Sequence, residues 1–234
     1  MNFGLDTNVI VGHVLGPCDG LHQKVESFLE RANKDVLIVP ECARYEYEYT
    51  WEGVNDAGSD GKITELMASM LSYLEDMRKV LDSDMISGPD KSRMLDRLQS
   101  YNEKVRRFFN NDIQSIIPGT LGTQYFIDGM ENRVMNFEGQ IAGRKRDFFG
   151  KVVLHIPKNN VTVQYRRDFN RLLPKMENKN DCIIVFQVHD WCLQNSCKAS
   201  FVTQDAGIWV VSVSIKECTK IEDVLDLELK PGKV

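Results

Sequence analysis

The chain is expected to fold as an α/β domain, because apolar strand-like runs recur along it and two of them end in an acid. Phe3 to Leu5 lead straight into Asp6-Thr7-Asn8, and Ala199 to Val202 lead into Thr203-Gln204-Asp205. A third run, Asp35 to Val39, stops at Pro40. Strands buried on both faces read as continuous apolar runs, and open α/β sheets bind ligands outside the carboxyl ends of their strands. Two distant strands that each deliver an acid there predict one acidic pocket.

A length of 234 residues, 42% of them apolar and only 7 proline, suits a single large domain with a sizeable core. No apolar run approaches the roughly 18–20 residues that span a bilayer. A basic segment followed by a long apolar one is not read at the start, so a cytoplasmic location without membrane partners is expected. Cys18, Cys42, Cys182, Cys192, Cys197 and Cys218 form no CxxC pair and are expected to be reduced thiols. The four histidines are scattered without a His-Glu-x-x-His pattern, which speaks against a zinc protease.

The elements follow in order. Leu21, Val25, Phe28 and Leu29 have helical spacing within Gly20 to Ala32. After Pro40, Glu41 to Trp51 can form a helix, since proline is tolerated at a helix start. A Gly-, Asp- and Ser-rich break follows at Asn55 to Gly61. Ile63, Leu66, Met67, Met70, Leu71, Leu74, Met77 and Leu81 then line one long helix. Met94, Leu95, Leu98, Tyr101, Val105 and Phe108 line a second, with a turn at Ser87-Gly88-Pro89-Asp90. These predict a helical hairpin over Ile63 to Asn110, within a mainly helical insertion at 55–150. In the stretch Gly119 to Phe149, a helix is read around Asp128 to Ile141, and Lys151 to Ile156 is read as extended. From Asp181 an almost wholly apolar helix is expected, then the strand to Thr203, a turn, and a strand over Ile208 to Val213. Ile221 to Leu229 reads as an edge strand or a short helix.

Four acids stand out by position: Asp6 after the first strand, Glu46 in the helix after Pro40, Asp181 opening the apolar helix, and Asp205 after the late strand. Glu41, Glu48 and Glu52 compete with Glu46 for its place. An acid in the first turn of a helix interacts favourably with the helix dipole, so Asp181 also reads as a plain first-turn acid.

The order of these motifs resembles the PIN-domain nucleases. The matching residues are Asp6-Thr7-Asn8 in FGLDTNVIV, Glu46 in VPECARYE, Asp181 in NKNDCIIVF, and Thr203-Gln204-Asp205 in FVTQD. The resemblance covers roughly 1–54 and 178–215. It implies a three-layer PIN-like fold with a central, mostly parallel sheet, here carrying the inserted hairpin. It also implies a metal-dependent nuclease with Asp6, Glu46, Asp181 and Asp205 as catalytic and metal-holding acids, and Asn8 and Thr203 in support. Two departures stand against it: a long segment between Glu46 and Asp181, and no further acid just after Asp205, where Ala206, Gly207 and Ile208 stand.

The chemistry agrees with that resemblance. Hard cations such as Mg²⁺ or Mn²⁺ take oxygen ligands and can activate water for phosphodiester hydrolysis. Two carboxylates about 4 Å apart repel by about 4 kcal/mol at an effective dielectric near 20, so convergent acids call for a cation. Although the net charge is −5, residues 144 to 179 hold ten Lys and Arg against three acids. Arg144, Lys145, Arg146, Arg166, Arg167 and Arg171 are the candidates for holding a polyanion there, RNA in preference to DNA. A homodimer or protein partner on the helical insertion stays open. A haloacid-dehalogenase-type phosphatase fits less well, because Asn8 stands where its second Asp is wanted. A PIN-like scaffold that binds RNA or protein without cleaving is the remaining alternative.

Overall fold

The structure, a computed structural model, describes residues 1–54, 60–81, 88–113 and 123–227. Parts of the Asn55–Gly61 break, the turn residue Ser87, the start of the Gly119 stretch and the end of the Ile221–Leu229 segment lie outside those residues.

The core is a five-stranded, all-parallel sheet flanked by helices, in the order β3-β2-β1-β4-β5. Its strands are β1 (Asn2–Leu5), β2 (Val36–Pro40), β3 (Val153–His155), β4 (Ala199–Thr203) and β5 (Ile221–Asp226). Phe3 of β1 faces Leu37 of β2 on one side and Ser200 of β4 on the other. The chain builds outward from β1 to β3, then returns to the other side of β1 for β4. The strand order therefore reverses between β1 and β4, and such a switch point opens a crevice at the strand carboxyl ends. Asp6 and Asp205 follow the two strands that flank it.

The helices of the first half are α1 (Thr7–Val14), α2 (His22–Arg31), α3 (Glu41–Tyr47), α4 (Lys62–Leu81), α5 (Gly88–Ser100), α6 (Glu103–Ile113), α7 (Thr123–Met135) and α8 (Phe137–Phe149). The second half adds α9 (Val161–Gln164), α10 (Arg166–Leu172), α11 (Lys179–Gln194), α12 (Ala206–Val210) and α13 (Ser212–Cys218). A π-helical turn, Glu48–Glu52, extends α3.

Helix α11 is nearly all apolar because it lies in the core: Cys182, Ile184, Val185, Phe186 and Val188 are buried. It crosses β1 closely. A Cβ on Gly4 would sit 2.5 Å from Val188 Cγ2, so only glycine allows this approach. Gln187 Oε1 accepts from the Cys42 backbone amide at 2.8 Å, satisfying a donor at the start of α3 that Pro40 leaves without a side-chain cap. One buried residue thus ties together the helices that carry Glu46 and Asp181.

Three expectations are corrected. The second arm of the hairpin is two helices, α5 and α6, broken at Tyr101-Asn102. Asn102 Oδ1 accepts from the Lys104 amide at 2.9 Å, while the Tyr101 hydroxyl turns to Asp76 Oδ2 at 2.7 Å. This local capping wins over the shared apolar stripe. The inserted helices share the main core. Met70, Tyr73 and Leu74 of α4, with Val105, Phe108 and Phe109 of α6, belong to the same contiguous core as β1 and β2. The Trp51 ring lies 5.3 Å from Lys62 Nζ and 5.4 Å from Lys104 Nζ, joining the π-helical turn to α4 and α6.

The second correction is Ile208 to Val213, which is helical and not a strand. Asp205 Oδ1 accepts from the Gly207 and Ile208 amides at 2.7 and 3.4 Å, so its side chain caps α12 and overrides the β-branched composition. The last strand is β5, the edge read from Ile221 onward. The third correction concerns the basic candidates: their stretch is folded into α8, β3, α9 and α10, where Arg144 and Lys145 are taken up by contacts within the fold.

All six cysteines are unpaired. No described helix is long and apolar enough to cross a membrane.

Candidate functional site

Asp6 leaves β1 at the switch point and is 5% exposed. Its Oδ1 accepts from the Thr7 amide at 2.7 Å. Its Oδ2 accepts from Thr203 Oγ1 at 2.6 Å and from Asn8 Nδ2 at 2.9 Å. Thr203 ends β4 and also accepts from the Asp205 amide, at 2.8 Å. Thr203 therefore couples the two strand-end acids, and Asn8 braces the first. Both residues hold Asp6 in one orientation.

Glu46 faces the same group from α3. Its Oε2 accepts from Thr7 Oγ1 at 2.7 Å. The competing acids point elsewhere: Glu48 pairs with Arg44 at 2.9 Å, and Glu52 with Lys145 at 2.6 Å. Asp181, in the first turn of α11, is half-buried and makes no hydrogen bond or ion pair among the described residues.

The electrostatics tie these segments together. Burial is the main cause that pushes the Asp6 carboxyl up to about 6, against the lowering bonds from Thr203 and Thr7; Glu46 and Asp205 add to the rise. Burial also pushes Asp181 up to about 7, and the charges of Asp6, Asp205, Glu46 and Glu177 raise it further. The dipole of α11 would favour an ionised Asp181, so burial and like charge outweigh it here. Four acids from four distant segments thus share one field.

Glu177 was not among the sequence candidates. It lies just before α11, and its carboxylate fills the space a side chain at position 207 would take. A Cβ on Gly207 would sit 3.0 Å from Asp205 Oδ1 and 3.3 Å from Glu177 Oε2. The acid missing after Asp205 in the sequence thus has a neighbour supplied from another segment. A glycine two residues past a strand-end acid was the one available signal, and it does not name the acid that fills its space.

The donor set is all oxygen, as a hard cation wants. Asn8 Oδ1 is buried with no hydrogen-bond partner, an acceptor left over beside Asp6. Among the described residues, no three His, Cys, Asp or Glu converge tightly enough to form a closed metal cage. Mg²⁺ commonly keeps several waters and takes only one or two protein carboxylates. The arrangement fits a hydrated hard cation and does not fit a fully protein-coordinated one.

The basic candidates divide into two groups. Arg144 is part of the fold: its Nε donates to Val14 O at 2.8 Å. Lys145 is held by Glu52 and Glu48, and Arg171 pairs with Glu217 at 3.0 Å. Arg146 is exposed, with Asp147 at 3.8 Å. Arg166 and Arg167 are exposed at the start of α10, without an ion pair among the described residues.

A buried cluster away from the acids also escaped the sequence reading. Asp190 of α11 is 1% exposed. It receives His155 Nε2 at 2.9 Å, Tyr165 OH at 2.5 Å, Gln194 Nε2 at 2.7 Å and Gln164 Nε2 at 3.3 Å. It ties α11 to β3 and α9.

No family model, curated protein or solved structure matches the chain.

Proposed function

We propose that the protein is a divalent-metal-dependent nuclease that hydrolyses phosphodiester bonds, with single-stranded RNA as its substrate and a PIN-like domain as its scaffold. The observation that carries this reading is the convergence of Asp6, Glu46, Asp181 and Asp205 on one field at the switch point. The four come from distant segments of the chain, and burial first, with their like charges adding to it, raises the carboxyls of Asp6 and Asp181.

Asp6 and Asp181 would hold Mg²⁺ or Mn²⁺ most directly, with Glu46 and Asp205 reaching it through water. A cation there supplies a nucleophile at neutral pH and positive charge opposite the phosphate. The chain's own residues prepare the rest. Thr203 and Asn8 fix the Asp6 carboxylate, and Thr7 fixes Glu46, so the acids need not reorganise when substrate arrives. Asp181, which makes no hydrogen bond or ion pair among the described residues, is left free to turn to that cation. Arg166 and Arg167, exposed and without an ion pair among the described residues, would meet a phosphate backbone.

The absence of a tight three-acid cage among the described residues favours a second reading, a PIN-like scaffold that binds RNA or a protein partner without cutting. Melting separates the two. A protein with a cation site should melt higher in Mn²⁺ than in EDTA, by the equivalent of about 2.7 kcal/mol at a hundred times the dissociation constant. An unchanged melting temperature at millimolar Mn²⁺ and Mg²⁺ would favour the scaffold.

A further inference from the structure

Every described Phe, Tyr and Trp side chain is buried or half-buried except three: Tyr45 at 60% exposure, Tyr49 at 62% and Trp209 at 49%. Single exposed apolar residues need no explanation. The placement of these three does. Tyr45 adjoins Glu46, and Tyr49 lies one turn further along the same helical run. Trp209 lies one turn past Asp205, to whose carbonyl it donates its backbone amide at 3.1 Å. Residues so spaced have Cβ atoms roughly 5–6 Å apart. Helix α3 leaves β2 and α12 leaves β4, the two strands on either side of β1. The exposed rings therefore lie on the two helical segments that leave the sheet on either side of β1, each within about one turn of a candidate acid.

We infer that Tyr45, Tyr49 and Trp209 form a stacking platform for the unpaired bases of the strand whose backbone lies over the acids, an inference that rests on the nuclease reading above. A base presents a flat π face that stacks on such rings with little regard to sequence, and in a duplex that face is hidden between its neighbours. The platform therefore selects an unpaired strand. A protein partner or a second copy fits this surface poorly. Its apolar parts are separated by Glu46, Asp205 and Glu177, and an interface would have to desolvate these like charges with no cation between them, at considerable cost. A nucleic-acid strand would instead bring its phosphates to the cation and to Lys179, which is exposed two residues before Asp181 and has no ion pair among the described residues. Lys175 lies on the Trp209 side, with its Nζ on Ser214 Oγ of α13 at 2.8 Å.

The test is fluorescence anisotropy of labelled oligouridine with the full chain in Ca²⁺, a hard cation that keeps positive charge over the acids, with the oligonucleotide checked for integrity after each reading. Trp209→Ala should weaken binding roughly tenfold, and Tyr45→Ala with Tyr49→Ala by a similar factor. Trp209→Phe, which keeps a ring, should retain most of the affinity. Oligothymidine should lose affinity in the same ratio, since stacking reads the base and not the sugar. An RNA duplex should bind wild type and all variants alike. The proposal is overturned if the alanine variants bind oligouridine as tightly as wild type, or if they lose duplex affinity equally. It is also overturned if Trp209→Ala turns a dimer into a monomer, by light scattering, without changing oligonucleotide affinity. Cleavage that persists with unchanged affinities would remove the platform and leave the nuclease. Aromatic-dependent binding in a protein that never cleaves would keep the platform and remove the nuclease.

Discussion

Asp6→Asn is expected to abolish cleavage, by at least about a hundredfold, and to change protein stability with a sign that depends on pH. Asp6 does two jobs. Its carboxylate accepts three hydrogen bonds, from Thr7, Asn8 and Thr203, and an amide with only one acceptor oxygen keeps fewer of them. That loss costs about 1 kcal/mol. Against it stands the charge. Burial pushes the folded-state carboxyl from an ordinary 3.8 up to about 6. A raised acid contributes stability that is fully present below about pH 4 and is lost as pH rises through about 6. At pH 3.5 the wild-type group is largely neutral in both the folded and the unfolded chain, so the substitution shows only its hydrogen-bond cost. At pH 8 the metal-free wild type carries the full charge, and its removal returns on the order of 2–3 kcal/mol. In EDTA the variant should therefore melt below wild type at pH 3.5 and at or above it at pH 8. Circular dichroism melts at the two pH values check this. An equal deficit at both would make Asp6 a plain helix cap, outside any coupled acidic site.

The largest expected loss of stability lies away from the acids. Asp190→Ala removes a buried carboxylate with four partners and leaves His155, Tyr165, Gln164 and Gln194 short of an acceptor. Leaving several buried donors without their acceptor costs about 1–3 kcal/mol for each group left unsatisfied, on the order of 3–5 kcal/mol here. For a domain of this size that corresponds to roughly 10 °C in melting temperature. Urea unfolding should show a lower midpoint with an unchanged slope. Asp190→Asn, which keeps the shape and one acceptor, should cost less. The Mn²⁺-induced rise in melting temperature should survive both changes, because Asp190 makes no contact with Asp6, Glu46, Asp181 or Asp205. A loss below about 1 kcal/mol in Asp190→Ala would show that water replaces the carboxylate and that the cluster is not a structural tie.

Much of the site was legible because strand ends announce themselves. An apolar run that stops at Asp6, and another that stops at Thr203-Gln204-Asp205, carry their geometry in the pattern itself. Pro40 likewise fixed the start of α3 and with it the position of Glu46. What the pattern could not carry depends on side chains meeting across the fold. The β-branched composition of Ile208 to Val213 suggests a strand, yet one capping carboxylate, Asp205, is enough to start a helix there. The apolar stripe from Met94 to Phe108 runs through Asn102 without a change of spacing, and only the cap on Lys104 marks the break. Glu177 is drawn beside Asp205 by the empty space at Gly207. Asp190 looks like any helix acid until His155 and Tyr165 are placed against it. The basic stretch is the reverse case: local charge marks Arg144 and Lys145 as candidates for holding a polyanion, but both are occupied within the fold.

The central claim, that the acids of the switch point form a cation-dependent cleavage site, is tested most directly by one assay. Labelled single-stranded RNA is incubated with the purified protein across a Mn²⁺ titration, with Asp181→Asn in parallel. Cleavage should appear as Mn²⁺ rises, disappear in EDTA, and fall to background in Asp181→Asn while that variant stays folded. Intact RNA at every Mn²⁺ and Mg²⁺ concentration, or equal rates for wild type and Asp181→Asn, would contradict the account.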